Sequence, residues 1–380
     1  MIRVLIVIDD FEFGGAQRQV VELANNMRAS EFDVHVGSLC EYNPLADRLR
    51  DRDARFHVVP KRHKFDISVV PRLARLLRTL RTDIVHGYLF TANIATRLAG
   101  RLAGTPVVIG SERNANYCLL KRQLLAYRLT KGCVDLIIAN SKAGAEFNSR
   151  LLGYDMARYR IVHNGVDTER FVPRDGGTAK ASLGIADSER VVGIFASFKR
   201  QKNHGLFFAA AKRVLARVPH TRLLVVGDEL YQGLHGSADY KREMNLLVDR
   251  LGIRDRLLFL SNRKDVEQLY PVCDLTVLPS LHEGTPNVLL ESMACGVPVV
   301  ATDVCDNSYV APSGKVGCLV PLGGEDRMAE CICLLLENDQ LRREMGKRAR
   351  AWVEQEFSTL RLAQKTEAVY AEALGLKGSG

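Results

Sequence analysis

Two glutamates with unusual neighbours lie in the stretch PSLHEGTPNVLLESMACGVPVVATD, residues 279–303. Glu283 lies in a turn that contains glycine and proline, whereas Glu291 stands eight positions later, inside an apolar helical pattern. Thr285 followed by Pro286 is typical of an N-cap and a first helical residue. The pattern predicts a short buried helix, with one acid just before its N-terminus and the other on its second turn.

The chemistry that this arrangement suits is the binding of a phosphorylated sugar. A helix N-terminus combines N–H groups with the positive end of a dipole, so it favours phosphate. Helical side chains lean toward the N-terminus, and we therefore expect Glu283 and Glu291 to point at one small region. A buried carboxylate needs partners, which the vicinal hydroxyls of a ribose would supply. The alternative is a capped helix with one solvated glutamate.

A second candidate site is the segment GIFASFKRQKNHGLF, residues 193–207. An apolar strand ends at Ser197, a turn follows with Lys199, Arg200 and Lys202, and Asn203 begins the next helix. Cations at a strand-to-helix turn suit phosphate. The alternative is a solvated basic loop.

Two weaker signals lie in the first half of the chain. Gly14 and Gly15 follow the first apolar run and open a helix, where backbone could approach a diphosphate, although such a pair more often marks a tight turn alone. His86 is predicted at the end of a strand in DIVHGYLFTAN, residues 83–93. Strand ends face ligands in α/β sheets, although a single histidine is more often structural.

Apolar runs that alternate with helical patterns must position these residues. Each run is apolar on both faces, as parallel strands covered by helices are. The polar segment 163–184 divides the pattern into two halves, so it predicts two doubly wound α/β domains joined near 165–185 and facing each other across a cleft. Strands are predicted at 3–9, 33–39, 55–60, 83–88, 106–112 and 134–140, then at 190–197, 221–228, 256–261, 274–280 and 298–303.

Composition narrows the functional class. The net charge of +9 is concentrated in residues 1–170, which hold 26 Lys and Arg against 18 Asp and Glu, and this favours an anionic partner. No apolar run reaches the length of a membrane span, and the first residues read as a strand rather than a signal peptide. The nine cysteines form no C-x-x-C pair, which favours a cytoplasmic protein with reduced thiols and no metal site. Nucleic acid is not expected as a partner, since no aromatic-interleaved basic patch appears.

Taken together and in order, these stretches resemble the family-4 glycosyltransferases. The resemblance is carried by GGAQR (14–18), HNGVD (163–167), KN (202–203), VVGD (225–228) and the E-x(7)-E segment 265–303. It implies the GT-B fold, with two Rossmann-like domains: an acceptor-binding domain at 1–170 and a nucleotide-sugar donor domain at 180–356. A final helix at 357–375 is expected to cross back to the first domain.

The resemblance also implies roles for individual residues. The family's second glutamate, here Glu291, holds the ribose of the donor, and the first, here Glu283, contacts the donor sugar. Lys202 would neutralise the diphosphate, and no metal or other cofactor is expected. The remaining donor contacts implied are Gly14 and Gly15, Ser197, Arg200 and Asn203, the backbone of Gly284, Thr285, Pro286, Asn287 and Val288, and Asn262 and Arg263 near the base.

Three departures from the family pattern affect these roles. Ala196 and Ser197 stand where the family has an arginine. Either Arg200 or Lys199 substitutes for it, or stabilisation of the leaving group is weaker. The family's H-x-H pair is reduced to one histidine, His86, followed by Tyr88. The resemblance still implies a catalytic role for His86, together with Lys202 and Glu283. A family histidine after the next strand is also absent, and we expect the acceptor site to be lined instead by the residues of that segment, Ser111, Arg113 and Asn114, together with Tyr88.

The function implied is the retaining, metal-independent transfer of a hexose from a UDP- or GDP-sugar to a hydroxyl of a cell-envelope glycan or lipid-linked acceptor. Alternatives are a non-catalytic sugar-nucleotide binding subunit and a GT-B-fold sugar-nucleotide epimerase. The arginine-rich pattern at 68–81 is typical of a packed helix with a solvated basic face. The alternative is that this segment and 119–131 dock on an anionic membrane, which would place a cytoplasmic protein at the inner face of that membrane.

Overall fold

The protein divides into two compact units. The structure is a computed structural model, and it describes residues 1–12, 14–63, 66–113, 119–230, 234 and 236–378, with side chains as far as residue 375. The first unit comprises Met1–Gly165 and Thr359–Gly380, and the second comprises Val166–Ser358. Residues 166–170, which the sequence prediction placed in the first domain, belong to the second unit. Within the described ranges, no helix combines the length and apolar content that crossing a bilayer requires.

The first unit is built on seven parallel strands. Their order across the sheet is β3-β2-β1-β4-β5-β6-β7. The strands are β1 Ile2–Ile8, β2 Phe32–Ser38, β3 Phe56–Val58, β4 Ile84–Tyr88, β5 Val107–Glu112, β6 Leu136–Ala139 and β7 Tyr159–Ile161. The helices between them are α1 Gly15–Asn26, α2 Arg52–Arg55, α3 Val69–Thr79, α4 Phe90–Ala103, α5 Lys121–Leu129 and α6 Lys142–Leu152.

The second unit repeats the design with six parallel strands in the order β10-β9-β8-β11-β12-β13. The strands are β8 Arg190–Phe195, β9 Thr221–Val226, β10 Leu257–Leu260, β11 Leu275–Leu278, β12 Val299–Thr302 and β13 Gly317–Val320. The helices are α7 Gly177–Ser182, α8 His204–Arg217, α9 Ser237–Leu251, α10 Val266–Leu269, α11 Asn287–Ala294, α12 Asn307–Val310, α13 Glu325–Glu337 and α14 Asp339–Glu356.

The last helix, α15 Thr359–Gly378, belongs to the first unit. Its apolar residues join the cluster formed by β1 and α1, where Tyr370 is fully buried. Arg28 at the end of α1 donates from Nε to Glu367 of α15 over 2.7 Å, and Glu367 is buried. Helix α15 therefore closes one face of the first sheet.

Each sheet has one point where successive strands switch direction across it. In the first sheet this point lies between β1 and β4, and in the second it lies between β8 and β11. Loops that leave the carboxyl ends of such neighbouring strands diverge and open a crevice, where α/β proteins bind ligands. The loops after β8 and β11 are the two segments that carry Lys202 and Glu283.

Candidate donor and acceptor sites

The loop after β11 leads into helix α11 and holds Glu283 in a buried position, 6% exposed. The helix begins one residue later than the sequence predicted. Pro286 occupies the cap position with φ −75° and ψ 113°, so its extended backbone places it outside the helix. The prediction of Thr285 as N-cap and Pro286 as first helical residue is therefore wrong, because the turn stays extended through the proline.

The loop after β8 brings a lysine to this glutamate. A single turn of 3-10 helix covers Arg200–Lys202, and Asn203 follows in the left-handed region at φ 50°, a conformation that asparagine tolerates. Helix α8 then begins at His204. The Nζ atom of Lys202 lies 2.5 Å from Oε1 of Glu283. Two loops predicted separately to favour phosphate thus meet in one partly buried ion pair.

A glutamine that the sequence analysis did not single out fastens the same two loops. The backbone carbonyl of Gln201 accepts from the N–H of Leu281 over 2.8 Å. The side-chain Nε2 of Gln201 donates to the carbonyl of His282 over 2.7 Å. We call these two hydrogen bonds the loop clasp. Its only signal in the sequence is the position of Gln201 beside Lys202.

The structure separates the two candidates for the absent arginine. Arg200 donates to Glu243 of α9 over 2.8 Å, stacks above the ring of Tyr240 and is 68% exposed at its side chain. Lys199 is half-buried. Burial lowers the pKa of Lys199, and nearby Lys202 lowers it further, whereas Glu283 raises it. Lys199 is therefore the cation that interacts electrostatically with the Lys202–Glu283 pair, and Arg200 is directed to α9.

The second glutamate has its own partner. Glu291 lies on α11, is 5% exposed, and its Oε2 accepts a hydrogen bond from the hydroxyl of Tyr270 over 2.8 Å. Tyr270 is held by stacking on Phe195, with ring centroids 4.0 Å apart and planes 20° apart. Sequence reasoning missed Tyr270, although it lies in the segment 265–303 that carried the resemblance.

The other predicted donor residues differ in exposure. Ser197 is half-buried, and its carbonyl accepts from the N–H of Lys199 over 2.7 Å. Asn262 and Arg263 are exposed after β10, where Arg263 pairs with Asp265 over 2.6 Å. At the start of α11, three buried residues are followed by two half-buried ones: Gly284, Thr285 and Pro286, then Asn287 and Val288.

The predicted glycine pair lies at the carboxyl end of β1. Gly14 precedes the first residue of α1, Gly15, in an extended conformation. A Cβ atom at Gly14 would lie 2.1 Å from Oε1 of Gln17, whose Nε2 donates to Asp10 over 2.8 Å. This position therefore accommodates the Gln17 side chain, in addition to any role toward a ligand.

The prediction that His86 ends its strand is wrong. Strand β4 continues to Tyr88, and His86 lies at its centre with no exposed surface. Its Nδ1 is 2.8 Å from the hydroxyl of Tyr370 on α15. Burial lowers the pKa of His86 to about 3, with a smaller contribution from Arg113. The imidazole is thus a neutral core group that α15 covers, and it does not reach the surface.

The residues predicted for the acceptor site gather at the ends of β4 and β5. The guanidinium of Arg113 lies 5.5 Å from the ring centre of Tyr88 and donates to Oδ1 of Asn164. Ser111 forms a hydrogen bond with Tyr88. Burial raises the pKa of Tyr88, and the charge of Arg113 and the hydrogen bond with Ser111 partly offset this increase. Asn164 was not predicted, although it belongs to HNGVD. Asn114 falls outside the described residues.

The described side chains include no group of three or more His, Cys, Asp or Glu arranged to hold a metal ion. Lys202, which pairs with Glu283, and Lys199, which interacts electrostatically with both, are cations of a kind that suits a phosphorylated ligand.

Comparison with known proteins agrees with this geometry. Residues 13–170 match the model of Glycosyltransferase Family 4, and residues 177–352 match that of Glycosyl transferases group 1. The chain is 27% identical over 374 residues to the UDP-Gal:alpha-D-GlcNAc-diphosphoundecaprenol alpha-1,3-galactosyltransferase of Escherichia coli, covering 94% of each protein. It is also 27% identical to the N-acetyl-alpha-D-glucosaminyl L-malate synthase of Bacillus anthracis, covering 82% of this chain and 80% of that protein.

Solved structures show the same fold. Alr3699/HepE of Anabaena, solved with UDP, superposes with a TM-score of 0.85 at 22% identity and covers 98% of this chain and 100% of that one. WaaG, a glycosyltransferase involved in lipopolysaccharide biosynthesis, superposes with a TM-score of 0.72 at 18% identity, covering 96% and 99%. With the two family models spanning most of its length, the protein belongs to the family-4 glycosyltransferases and has their GT-B fold.

Proposed function

We propose that the protein transfers a hexose from a UDP- or GDP-sugar to a hydroxyl of a cell-envelope glycan or lipid-linked acceptor, with retention of configuration and without a metal. The observation that carries this proposal is the Lys202–Glu283 pair at the switch point of the second sheet, where Glu283 lies in the loop that leads into helix α11. HepE, which shares the fold, has been solved with UDP-glucose, and the relative in Escherichia coli is named for a UDP-Gal donor and a diphosphoundecaprenol acceptor.

Donor binding would exchange the partners of the ion pair. Lys202 would turn from Glu283 to an oxygen of the diphosphate, and Glu283 would accept hydrogen bonds from hydroxyls of the sugar. N–H groups in the first turn of α11 face the same phosphate charge. Glu291, oriented by Tyr270, would hold the ribose hydroxyls. Both buried carboxylates therefore acquire donors that the nucleotide sugar itself supplies.

The transfer step is a front-face displacement. The acceptor oxygen bonds to the anomeric carbon on the side from which the diphosphate leaves, and the broken C–O bond gives its electron pair to the phosphate oxygen. That oxygen takes the proton of the acceptor hydroxyl, while Lys202 and Lys199 stabilise its charge. The alternative, double displacement, needs two carboxylates about 5–5.5 Å apart that flank the bond. The proposal assigns Glu283 to hydroxyls of the donor sugar and Glu291 to the ribose, so neither is left to act as the nucleophile and the single-step route is preferred.

Acceptor recognition is assigned to the first unit. Arg113 is partly buried between the ring of Tyr88 and the amide of Asn164, so its guanidinium has a fixed direction. A fixed guanidinium suits a phosphate or carboxylate. This supports an acceptor that carries a negative group, as a lipid diphosphate does.

A membrane surface is proposed as a further partner, through α5 rather than α3. In α3 the leucines Leu73 and Leu77 are buried, so this helix is packed with a solvated basic face. In α5, by contrast, Leu125 is 56% exposed and Leu129 is 76% exposed. Exposed leucines beside basic residues are typical of helices that lie on anionic lipid. The basic residues of α5 are Lys121, Arg122 and Arg128, all exposed.

The first test is thermal unfolding with millimolar UDP, GDP or ADP, with and without EDTA. A ligand at about 100 times its Kd adds about 2.7 kcal/mol to the free energy of unfolding. One nucleotide is expected to raise the unfolding temperature of the wild type, and EDTA is expected not to change this increase. Glu291→Ala is expected to lose this increase, whereas Glu330→Ala, on the exposed surface of α13, is expected to keep it.

The outcomes separate the alternatives. If no nucleotide shifts the transition, the proposed donor site is refuted, and a shift that EDTA abolishes refutes metal-free binding. Donor that is bound but never consumed with any acceptor would indicate a non-catalytic binding subunit. Epimerisation of the donor in the absence of acceptor would indicate an epimerase.

A further inference from the structure

The loop clasp sits one residue away from the ion pair on both loops. Gln201 bonds to Leu281 and His282, and the next residue along each loop completes the contact from Lys202 to Glu283. Three successive links therefore hold the loop after β8 against the loop after β11. The spacing of these loops determines where the ammonium of Lys202 can lie.

The two kinds of link behave differently when a diphosphate arrives. The ion pair between Lys202 and Glu283 must open, because the proposed function gives each residue a new partner in the donor. The clasp involves only the amide side chain and backbone of Gln201 and the backbone of the opposing loop, so nothing in the ligand competes for it. Of the three links, the clasp is the part for which the proposed function names no new partner.

We infer that Gln201 is a positioning residue, which holds Lys202 at the N-terminus of α11 while Glu283 exchanges its partner. A lysine side chain is long and flexible, and ordering it costs conformational entropy. A fixed turn beneath Lys202 reduces the range of positions that its ammonium explores. This inference rests on the proposed function, since it concerns how the same site engages a diphosphate.

The inference predicts an effect that depends on the number of phosphates. The turn carries Lys202, which is assigned to the diphosphate, whereas the ribose is assigned to Glu291 on a different element. Loss of the side-chain hydrogen bond of Gln201 is therefore expected to weaken the binding of a nucleoside diphosphate and to leave the affinity for the monophosphate nearly unchanged. If Gln201 only stabilised the second unit, its replacement would lower the unfolding temperature of that unit and would affect the two ligands equally.

The experiment is titration calorimetry with wild type, Gln201→Ala and Gln201→Glu. The ligands are whichever of UDP, GDP or ADP binds the wild type and its matching monophosphate. Gln201→Ala is expected to reduce the affinity for the diphosphate about three- to tenfold, which corresponds to the loss of one hydrogen bond. Gln201→Glu preserves shape but replaces the donor with a carboxylate that repels both the His282 carbonyl and the ligand, so a larger loss is expected. Gln340→Ala, which removes an exposed bond to Glu344 in the same unit, is the matched control.

A double-mutant cycle with Lys202→Met tests whether Gln201 acts through the lysine. If it does, Gln201→Ala adds no further loss of diphosphate affinity once Lys202 is absent. Three results would each overturn the inference. The losses of diphosphate affinity could be additive in the double mutant, the affinities for mono- and diphosphate could fall equally, or the affinities of both Gln201 variants could be unchanged. If the wild type binds no nucleoside diphosphate, the proposed function fails first and the inference with it. If Gln201→Ala does not fold, Gln201→Met takes its place, because methionine keeps the length of the side chain, removes the donor to His282 and adds no charge that could repel the ligand.

Discussion

A buried carboxyl in the first unit makes its stability depend on pH in a predictable direction. Glu112, the last residue of β5, is 4% exposed. Its Oε2 accepts from Asn148 over 2.7 Å and from the hydroxyl of Tyr159 over 3.3 Å. Burial raises the pKa of Glu112 to about 7, and these bonds together with the charge of Arg97 offset only part of the increase.

The sign follows from comparing the folded and unfolded states. The ordinary pKa of the carboxyl is 4.5, so the folded protein binds this proton more tightly than the unfolded chain. The contribution of this proton to the free energy of unfolding is fully present below pH 4.5, and it is lost as the pH rises through about 7. Because each pKa unit corresponds to about 1.4 kcal/mol, the contribution of Glu112 to the free energy of unfolding is expected to fall by about 2.5 kcal/mol between pH 5 and pH 8.

Glu112→Gln removes this titration while preserving the shape of the side chain. The quantity to measure is the difference in free energy of unfolding between the variant and the wild type, obtained from urea denaturation at several pH values. We expect this difference to move by about 2.5 kcal/mol in favour of the variant from pH 5 to pH 8. Glu330→Gln, on the exposed surface of α13, is the control and is expected to follow the wild type. A difference that stays constant with pH would refute the reasoning.

Three further predictions concern the sites. Lys202→Met is expected to weaken binding of the nucleoside diphosphate about 10- to 150-fold, measured by calorimetry, because it removes a charge-assisted contact of about 1.5–3 kcal/mol. Tyr270→Phe removes a hydrogen bond to the buried carboxylate of Glu291, so it is expected to lower the free energy of unfolding of the second unit by about 1–3 kcal/mol, followed by the fluorescence of the single tryptophan. Replacement of Leu125 and Leu129 by serine is expected to reduce binding to anionic phospholipid vesicles about tenfold per leucine, measured by flotation at low salt.

Matched variants separate these effects from general damage. Lys212→Met on α8, Tyr309→Phe on α12 and Leu246→Ser on α9 replace exposed residues of the same types in the second unit. They are expected to behave as the wild type in the respective assays. Unchanged diphosphate affinity in Lys202→Met would remove that residue from the donor site. Equal vesicle binding by the leucine variants and the wild type would contradict the membrane proposal.

Most of the sheet architecture could be predicted from the sequence, because buried parallel strands are written as apolar runs. Each of the eleven predicted strands overlaps an observed one. The strands missed, β7 and β13, are three and four residues long and lie at the edges of their sheets. Strand β7 has the charged Arg160 at its centre and β13 begins with Gly317, so neither forms a continuous apolar run in the sequence. The predicted GT-B fold was confirmed although two strands were missed, because it depends on the alternation of strands and helices over the whole chain.

Side-chain partners were less predictable, because they depend on residues far along the chain. Lys202 and Glu283 form an ion pair although they lie on two loops that were predicted separately. The direction of Arg200 is set by Glu243 on α9, and the burial of His86 is completed by Tyr370 on α15. Neither partner could be inferred from the local pattern around the residue in question. Local sequence thus predicted the loops, and tertiary packing determines the partners of the side chains within them.

The membership of α15 in the first unit has a consequence for synthesis. A ribosome releases β1 and β4 early, yet the helix that covers one face of their sheet follows the whole of Val166–Ser358. Until residue 370 emerges, His86 lacks the hydroxyl that bonds its Nδ1, and the apolar face beside it stays open. The half of the protein that is made first is therefore completed last, and a nascent chain must shield an unfinished N-terminal core while the second unit is being translated.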